Sequence, residues 1–200
     1  MSDKTYLDWP FFDATHRVLA ADLDAWAAAN AAHLHHGAGV DALCRDLVAS
    51  LGRGGWLRHC VPAAYGGASE QIDSRSLCIA RETLARHEGL ADFAFAMQGL
   101  GSGAISIAGS EELKHRYLPR VARGEIEISL GYTEPNAGSD VANIKMRAVE
   151  KNDHFVISGE KIFNTMAHWA SYHWLLARTD PAADQKHRGL TMFLVDLNTP

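Results

Sequence analysis

The sequence predicts an all-α helical N-terminal domain, residues 1–125, followed by an antiparallel β-sheet or β-barrel domain, residues 126–200. Three observations carry this expectation. Up to residue 125 the apolar residues recur at intervals of three and four, the period of a helix with one buried face. From Ile126 onward they alternate with polar residues at a period of two, the mark of a half-buried strand. The strands then follow one another with no helical stretch between them, which points to antiparallel pairing.

The first helix spans residues 12–29, with Phe12, Leu19, Leu23 and Trp26 on one face and Asp13, Arg17, Asp22 and Asp24 between them. Residues 30–39 are polar and glycine-bearing and carry His33, His35 and His36; further ligands at zinc-motif spacing are missing, so a solvated helix end or loop is expected. A second helix uses Val40, Leu43, Leu47 and Leu51, and Gly52 stands where a left-handed C-terminal cap belongs. Gly54, Gly55 and Pro62 mark irregular chain up to Tyr65-Gly66-Gly67. A third helix, residues 74–87, presents Leu77, Ala80 and Leu84, and an apolar fourth segment, residues 90–97, leads into Gln98-Gly99-Leu100-Gly101-Ser102-Gly103-Ala104. That cluster leaves the dinucleotide fingerprint incomplete and follows a helical pattern instead of a strand, so close helix packing accounts for it better. Ser110 before Glu111 and Glu112 reads as an N-cap with acids favoured by the helix dipole, opening a short helix that nears its end at Pro119.

In the second half, Ile126, Ile128 and Leu130 alternate with Glu127 and Ser129, and residues 144–150 alternate again. Asn152-Asp153 supplies the turn of a hairpin whose return strand is residues 155–159. Residues 172–179 and 190–197 are two more strands, joined by a polar, proline-containing loop. No strand follows to close the sheet, so the sequence is expected to be a fragment.

At 200 residues with 47% hydrophobic and 22% charged content, the chain has material for a substantial core. A net charge of -5 carries no electrostatic footprint for nucleic acid or an anionic membrane. Cys44, Cys60 and Cys78 are widely spaced and lack a CxxC pair, as expected for free thiols in a reducing compartment. The N-terminus has neither a secretory h-region nor transit-peptide character, and no run approaches the ~18 apolar residues of a membrane span. A soluble, cytoplasmic protein is expected, without metal.

The densest concentration of turn residues and hydroxyls is Tyr132-Thr133-Glu134-Pro135-Asn136-Ala137-Gly138-Ser139-Asp140, between two strands. Pro135 fixes φ and biases Glu134 toward extended backbone, while Gly138 admits close approach. This is a loop suited to holding a ligand.

Taken in order, the helical segment, the connector ending in Tyr65-Gly66-Gly67, the string Thr133-Glu134-Pro135 with Ala137-Gly138-Ser139-Asp140, Gly159-Glu160-Lys161, and the strand Phe193-Leu194-Val195-Asp196 closely resemble the acyl-CoA dehydrogenase family. The resemblance covers nearly the whole chain. It implies a helical N-terminal domain, a middle β-barrel domain, and a C-terminal four-helix domain that is absent from this sequence. It implies FAD as cofactor and an acyl-CoA substrate whose α-proton is taken by a carboxylate while the β-hydride passes to the flavin. The family's catalytic glutamate falls beyond Pro200, so the fragment alone is expected to be inactive. An electron-transfer flavoprotein or O2 is the implied electron acceptor, and a homodimer or homotetramer the implied assembly.

By position in the family, Thr133 looks like the residue at the pyrimidine end of the flavin, with Tyr132 and its backbone beside it and Gly138 in the same loop. Ser139 looks like the residue near the cofactor phosphates and the thioester-proximal part of the substrate. Thr165 resembles the hydroxyl near the flavin's hydride-accepting nitrogen, and Phe163 stands where an aromatic, often Trp, packs on the ring. The acyl pocket is implied to be reached from the segment holding Phe95, Met97 and Gln98, an apolar run that would equally suit helix packing. Glu134 and Asp140, the acids of the loop, are implied to be scaffolding, with Asp140 bonded to turn amides. The stretch Phe163-Asn164-Thr165-Met166 departs from the family's W-[IT]-[ST]-N, and Met166-Ala167-His168 replaces an Asn-Gly-Gly-like run. Two other readings share the residues: a flavin monooxygenase or oxidase of the same fold, and a non-catalytic flavin-binding or scaffold protein.

Overall fold

The computed structural model describes residues 3–31 and 39–198, so the expectation for His33, His35 and His36 lies outside the described residues. The chain divides into two compact units, Met1–Ile126 and Glu127–Pro200.

The first unit is helical. After a short 3-10 turn, α1 runs Ala14–Asn30. It starts two residues later than the periodicity suggests because Asp13 caps it, its carboxylate accepting from the Thr15 and His16 amides while the His16 ring returns a bond to the Asp13 amide. The helices α2 (Val40–Arg53), α3 (Ser74–His87), α4 (Gly89–Ala108) and α5 (Glu111–Ala122) follow. Ser110 caps α5 as its sequence predicts, its hydroxyl accepting from the Leu113 amide at 3.3 Å. The helix continues past Pro119 to Ala122 instead of ending there. The glycine-bearing stretch after Met97 is a continuation of α4, and α2, α3 and α5 all pack on that helix. The element before it is the helix α3 and not a strand, which disposes of the dinucleotide reading.

Gly52 is a correction. It lies inside α2, and the helix ends one residue later. A Cβ on Gly52 would stand 2.1 Å from the Arg123 carbonyl oxygen, so close approach of the chain after α5 requires the glycine.

The second unit is a sheet of β1 (Ile128–Gly131), β2 (Arg147–Lys151), β3 (His154–Ser158), β4 (Tyr172–Arg178) and β5 (Leu190–Asp196). The hairpin β2–β3 turns on Asn152, whose φ of 55° is the left-handed value that Asn tolerates. The central strand is β4. It pairs antiparallel with β5 along its whole length, and on its other edge parallel with β1 and, at Arg178, with Arg147 of β2. The sheet is therefore mixed and not antiparallel throughout. A parallel pair needs a long crossover, and here residues 132–171 supply it with a loop and a hairpin where a helix is usual. Absence of helices between strands thus misleads about pairing direction.

Met146, Ala148 and Ala177 form a core cluster in this unit, with Ile157, Leu175 and Phe193 packed against it. No helix among the described residues is long and apolar enough to cross a membrane.

Candidate functional site

The loop after β1 is fastened from within. Glu134 and Ala137 exchange backbone hydrogen bonds at 2.9 and 3.1 Å, closing a tight turn over Pro135 and Asn136. The Glu134 side chain is buried and accepts from the Lys145 amide at 2.6 Å, the Met146 amide at 2.9 Å and Lys161 Nζ at 2.9 Å. Burial alone would raise its pKa, but those donors outweigh burial and hold the carboxyl below its ordinary range. Lys161 Nζ also donates to the Tyr132 carbonyl at 3.2 Å. Ile162 N–H donates to the Thr133 carbonyl at 2.9 Å, so residues 161 and 162 lie directly against residues 132–134.

The far arm of the loop is held by Arg178 at the end of β4. Its guanidinium donates to the carbonyls of Ala142 at 2.6 Å, Lys186 at 3.0 Å and Ile144 at 3.4 Å. Asp140 accepts from the Asn143 side-chain amide, so its expected bond to turn amides is replaced by one to a neighbouring side chain.

After Ile162 the chain makes a second, strained turn. Phe163 and Met166 take φ values of 56° and 65°, left-handed angles that cost a non-glycine residue about 1 kcal/mol or more each. The turn survives because Asn164 Nδ2 donates to the Lys161 carbonyl and the Met166 carbonyl receives the Trp169 and Ala170 amides. Met166 is buried, whereas the Phe163 ring is 85% exposed. Where the family's pattern offers a flexible Asn-Gly-Gly-like run, this chain reaches a left-handed turn with a buried methionine as its anchor.

The hydroxyls of Thr133, Ser139 and Thr165 have no hydrogen-bond partner among the described residues. Elsewhere in the same unit Ser129, Ser171, Thr179 and Thr191 are engaged, and Ser158 on β3 is not. Gly138 has no left-handed φ, and a Cβ there would meet nothing within 4 Å, so nothing in the protein itself requires a glycine. Tyr132 is half-buried with its hydroxyl directed at Met192 Sδ, 3.9 Å away, and burial raises its pKa. The bonds from residues 161 and 162 thus bring the segment holding Tyr132 and Thr133 against the start of the segment holding Phe163 and Thr165. Three free hydroxyls, an uncovered aromatic ring and open space at Gly138 suit a flat, polar-edged cofactor with phosphates.

Phe95, Met97 and Gln98 lie elsewhere, on α4 in the helical unit, and all three are buried. Gln98 Nε2 donates to the Ile126 carbonyl at 2.9 Å, leaving Oε1 buried without a partner. Phe95 borders a cleft of about 350 Å³ between α3 and α4, while Met97 and Gln98 do not line it. Sequence reasoning missed the parts played by Lys161 and Arg178. Lys161 belongs to the quoted Gly159-Glu160-Lys161 run, but its partner Glu134 is 27 positions away, and no local pattern reveals such a pair.

Comparison with known proteins agrees with the motif order. Residues 13–125 match the family model of the acyl-CoA dehydrogenase N-terminal domain, and residues 129–200 that of its middle domain. The acyl-CoA dehydrogenase FadE26 of Mycobacterium tuberculosis is 33% identical over 159 residues, 78% of this chain and 39% of the relative. The cyclohexane-1-carbonyl-CoA dehydrogenase of Geobacter metallireducens is 40% identical over 139 residues, 70% of this chain and 36% of the relative. Among solved structures, an acyl-CoA dehydrogenase from Geobacillus kaustophilus superposes with a TM-score of 0.79 at 27% identity, covering 96% of this chain and 50% of that one. The chain therefore spans about half the length of the relatives it matches.

Proposed function

The chain belongs to the acyl-CoA dehydrogenase family, and from that premise we propose that its paired loops hold FAD in an enzyme that forms the α,β double bond of an acyl-CoA thioester. The observation that carries this reading is the set of unengaged hydroxyls on Thr133, Ser139 and Thr165 beside an exposed Phe163 ring, in loops whose buried charges, Glu134 and Lys161, are spent on the protein. When bound, the flavin supplies the two-electron acceptor for the β-hydride.

The chain's own residues supply placement. Phe163 would lie against the ring and exclude water from it, fixing its orientation. Thr133 and its neighbouring amides, with Tyr132 beside them, offer donors where a reduced ring gathers charge. Thr165 offers a hydroxyl at the hydride-accepting edge, and Ser139 with Gly138 offers a donor and open space for phosphates. Removal of the α-proton needs an unengaged carboxylate, and neither Glu134 nor Asp140 is one. We assign the base to residues outside this sequence. The α4 segment of Phe95, Met97 and Gln98 is proposed as the side from which the acyl chain is met, with Phe95 the member that borders open space. An electron-transfer flavoprotein is the proposed acceptor and a homodimer or homotetramer the proposed assembly.

The test is anaerobic titration of the purified full-length protein. It should be yellow, and a suitable acyl-CoA should bleach it. Full flavin occupancy with no bleaching across a broad acyl-CoA panel would sink the dehydrogenase reading, and turnover that consumes O2 without another acceptor would reassign it to an oxidase or monooxygenase.

A further inference from the structure

His173 stands on β4 directly across the parallel ladder from Ser129 on β1, and both side chains are buried. Ser129 Oγ lies 2.5 Å from His173 Nδ1 and 3.3 Å from the Tyr172 carbonyl. The other side of the imidazole rests against Gly131. A Cβ at residue 131 would meet His173 Nε2 at 2.2 Å, so the ring fills the volume that any other residue there would claim. Gly131 has no left-handed φ, so the ring, not the backbone conformation, explains the glycine.

Gly131 is the last residue of β1, and the next residue opens the cofactor loop. The Tyr132 carbonyl receives Lys161 Nζ, and the same ammonium holds Glu134. The imidazole thus lies under the point where strand becomes loop, close enough to Lys161 to feel its charge.

We propose that His173, oriented by Ser129 and seated under Gly131, is the positioning residue that fixes the course of the Tyr132 and Thr133 main chain, and that it does so only while its ring is neutral. The inference rests on the flavin reading of the loop. Burial, and after it the Lys161 ammonium, push the imidazole below its ordinary range. A proton on the ring would set a second buried cation beside the ammonium that ties Tyr132 to Glu134. Repulsion is relieved by moving Lys161, which releases both loop residues.

The groups around the ring offer no compensation. Facing it are Ser129 from β1, Val195 from β5 at the paired position, and Lys161, with Glu134 beyond Lys161 and already shared with two amides. Glu127, further up β1, is turned to the Ser171 hydroxyl at 3.1 Å. A positioning role therefore carries a pH signature that plain core packing lacks.

The experiment measures the flavin dissociation constant of the full-length protein from pH 8 to 5, with exchange of the Ile162 amide, which donates to the Thr133 carbonyl, and of the Met146 amide, which donates to Glu134, measured in parallel. In the wild type, affinity should fall by up to about tenfold per pH unit once the imidazole titrates, since one proton is linked, and the two amides should lose protection over the same range. His173→Asn keeps a polar group for Ser129 but cannot titrate, so it should lose this acid limb. Ser129→Ala keeps the titrating ring without its partner and should speed exchange of both amides several-fold at pH 8. An acid limb unchanged in His173→Asn, or amide exchange identical in all three proteins across the range, would overturn the proposal. A wild type that takes up no flavin would refute the cofactor reading instead, and the exchange data would still decide the role of His173.

Discussion

Replacing Glu134 by Gln asks whether a buried charge holds the cofactor loop. The wild-type carboxylate receives Met146 N–H and Lys161 Nζ on one oxygen and Lys145 N–H on the other, and the Glu134 and Lys161 side chains are each 3% exposed. Gln has a single acceptor oxygen. If that oxygen keeps Met146 and Lys161, the new amide nitrogen faces the Lys145 N–H donor where a 2.6 Å bond had been; the flipped amide loses the other two. Lys161 is left buried without its counter-charge in either case. A hydrogen bond to a charged group contributes about 1.5–3 kcal/mol, and breaking a buried pair by removing one partner costs about 3–5 kcal/mol. A loss of about 4 kcal/mol is expected, against the roughly 5–15 kcal/mol that stabilises a typical domain. Denaturant titration reads it as a lower midpoint at unchanged slope. Adding Lys161→Met should restore part of the loss, since removing both charges spares the lone cation. A Glu134→Gln loss below about 1 kcal/mol, or a double variant as unstable as the two single losses summed, would refute the reasoning. The pH dependence has a definite sign. Because the folded carboxyl is held below its ordinary 4.5, its contribution is complete above that value and is lost as pH falls through the folded pKa, a limb the Gln variant lacks.

Three further outcomes follow from the geometry. Thr165→Ala should slow flavin reduction by about a hundredfold, the scale of one lost transition-state donor, while weakening FAD binding far less; stopped-flow bleaching and a binding titration separate the two, and equal losses would contradict the role given to that hydroxyl. Asp24 is bonded to Lys4, Arg86 and His87 and its pKa is lowered to about 2, chiefly by Lys4, so Asp24→Asn should destabilise the helical unit by about 1–2 kcal/mol near neutral pH. That contribution should disappear in the wild type between pH 4 and 2, as acid unfolding followed by circular dichroism would show. Gly52→Ala gains about 1 kcal/mol of helix propensity but forces a methyl to 2.1 Å from the Arg123 carbonyl; a net loss of about 1–3 kcal/mol is expected, and a raised melting temperature would show that the approach relaxes freely.

What was legible in the sequence was local. The helix cap at Ser110 and the Asn152 turn each depend on neighbours a few positions away, and each stands where its pattern predicts; the two-residue period of β1 does not carry over to burial, since Ser129 is as buried as Ile128. What was illegible depended on distant chain. Gly52 follows an amphipathic run as a C-cap glycine would, yet Arg123, 71 positions on, decides its identity. The direction of the β1–β4 pairing is set across a crossover that no periodicity reports. In the loop, the motif located Thr133, Ser139, Phe163 and Thr165, but nothing local could show that Phe163 would be thrust into solvent by a left-handed turn anchored on Met166.

That turn and the loop beside it divide their labour in a way that bears on mechanism. The charges that fasten the pair are committed to main chain or to another charge: Glu134 to two amides and Lys161, Lys161 also to Tyr132, and Arg178 to three carbonyls. The hydroxyls and the ring are left over. Rigid charged fastening fixes the loops before a ligand arrives, so binding free energy is not consumed in ordering them. It also removes those charges from the chemistry. A carboxylate that gives up its three donors to accept a proton would release Lys145, Met146 and Lys161 together and loosen the surface meant to hold the cofactor still. Glu134 therefore cannot serve as both frame and base, and the frame is the role its geometry fills.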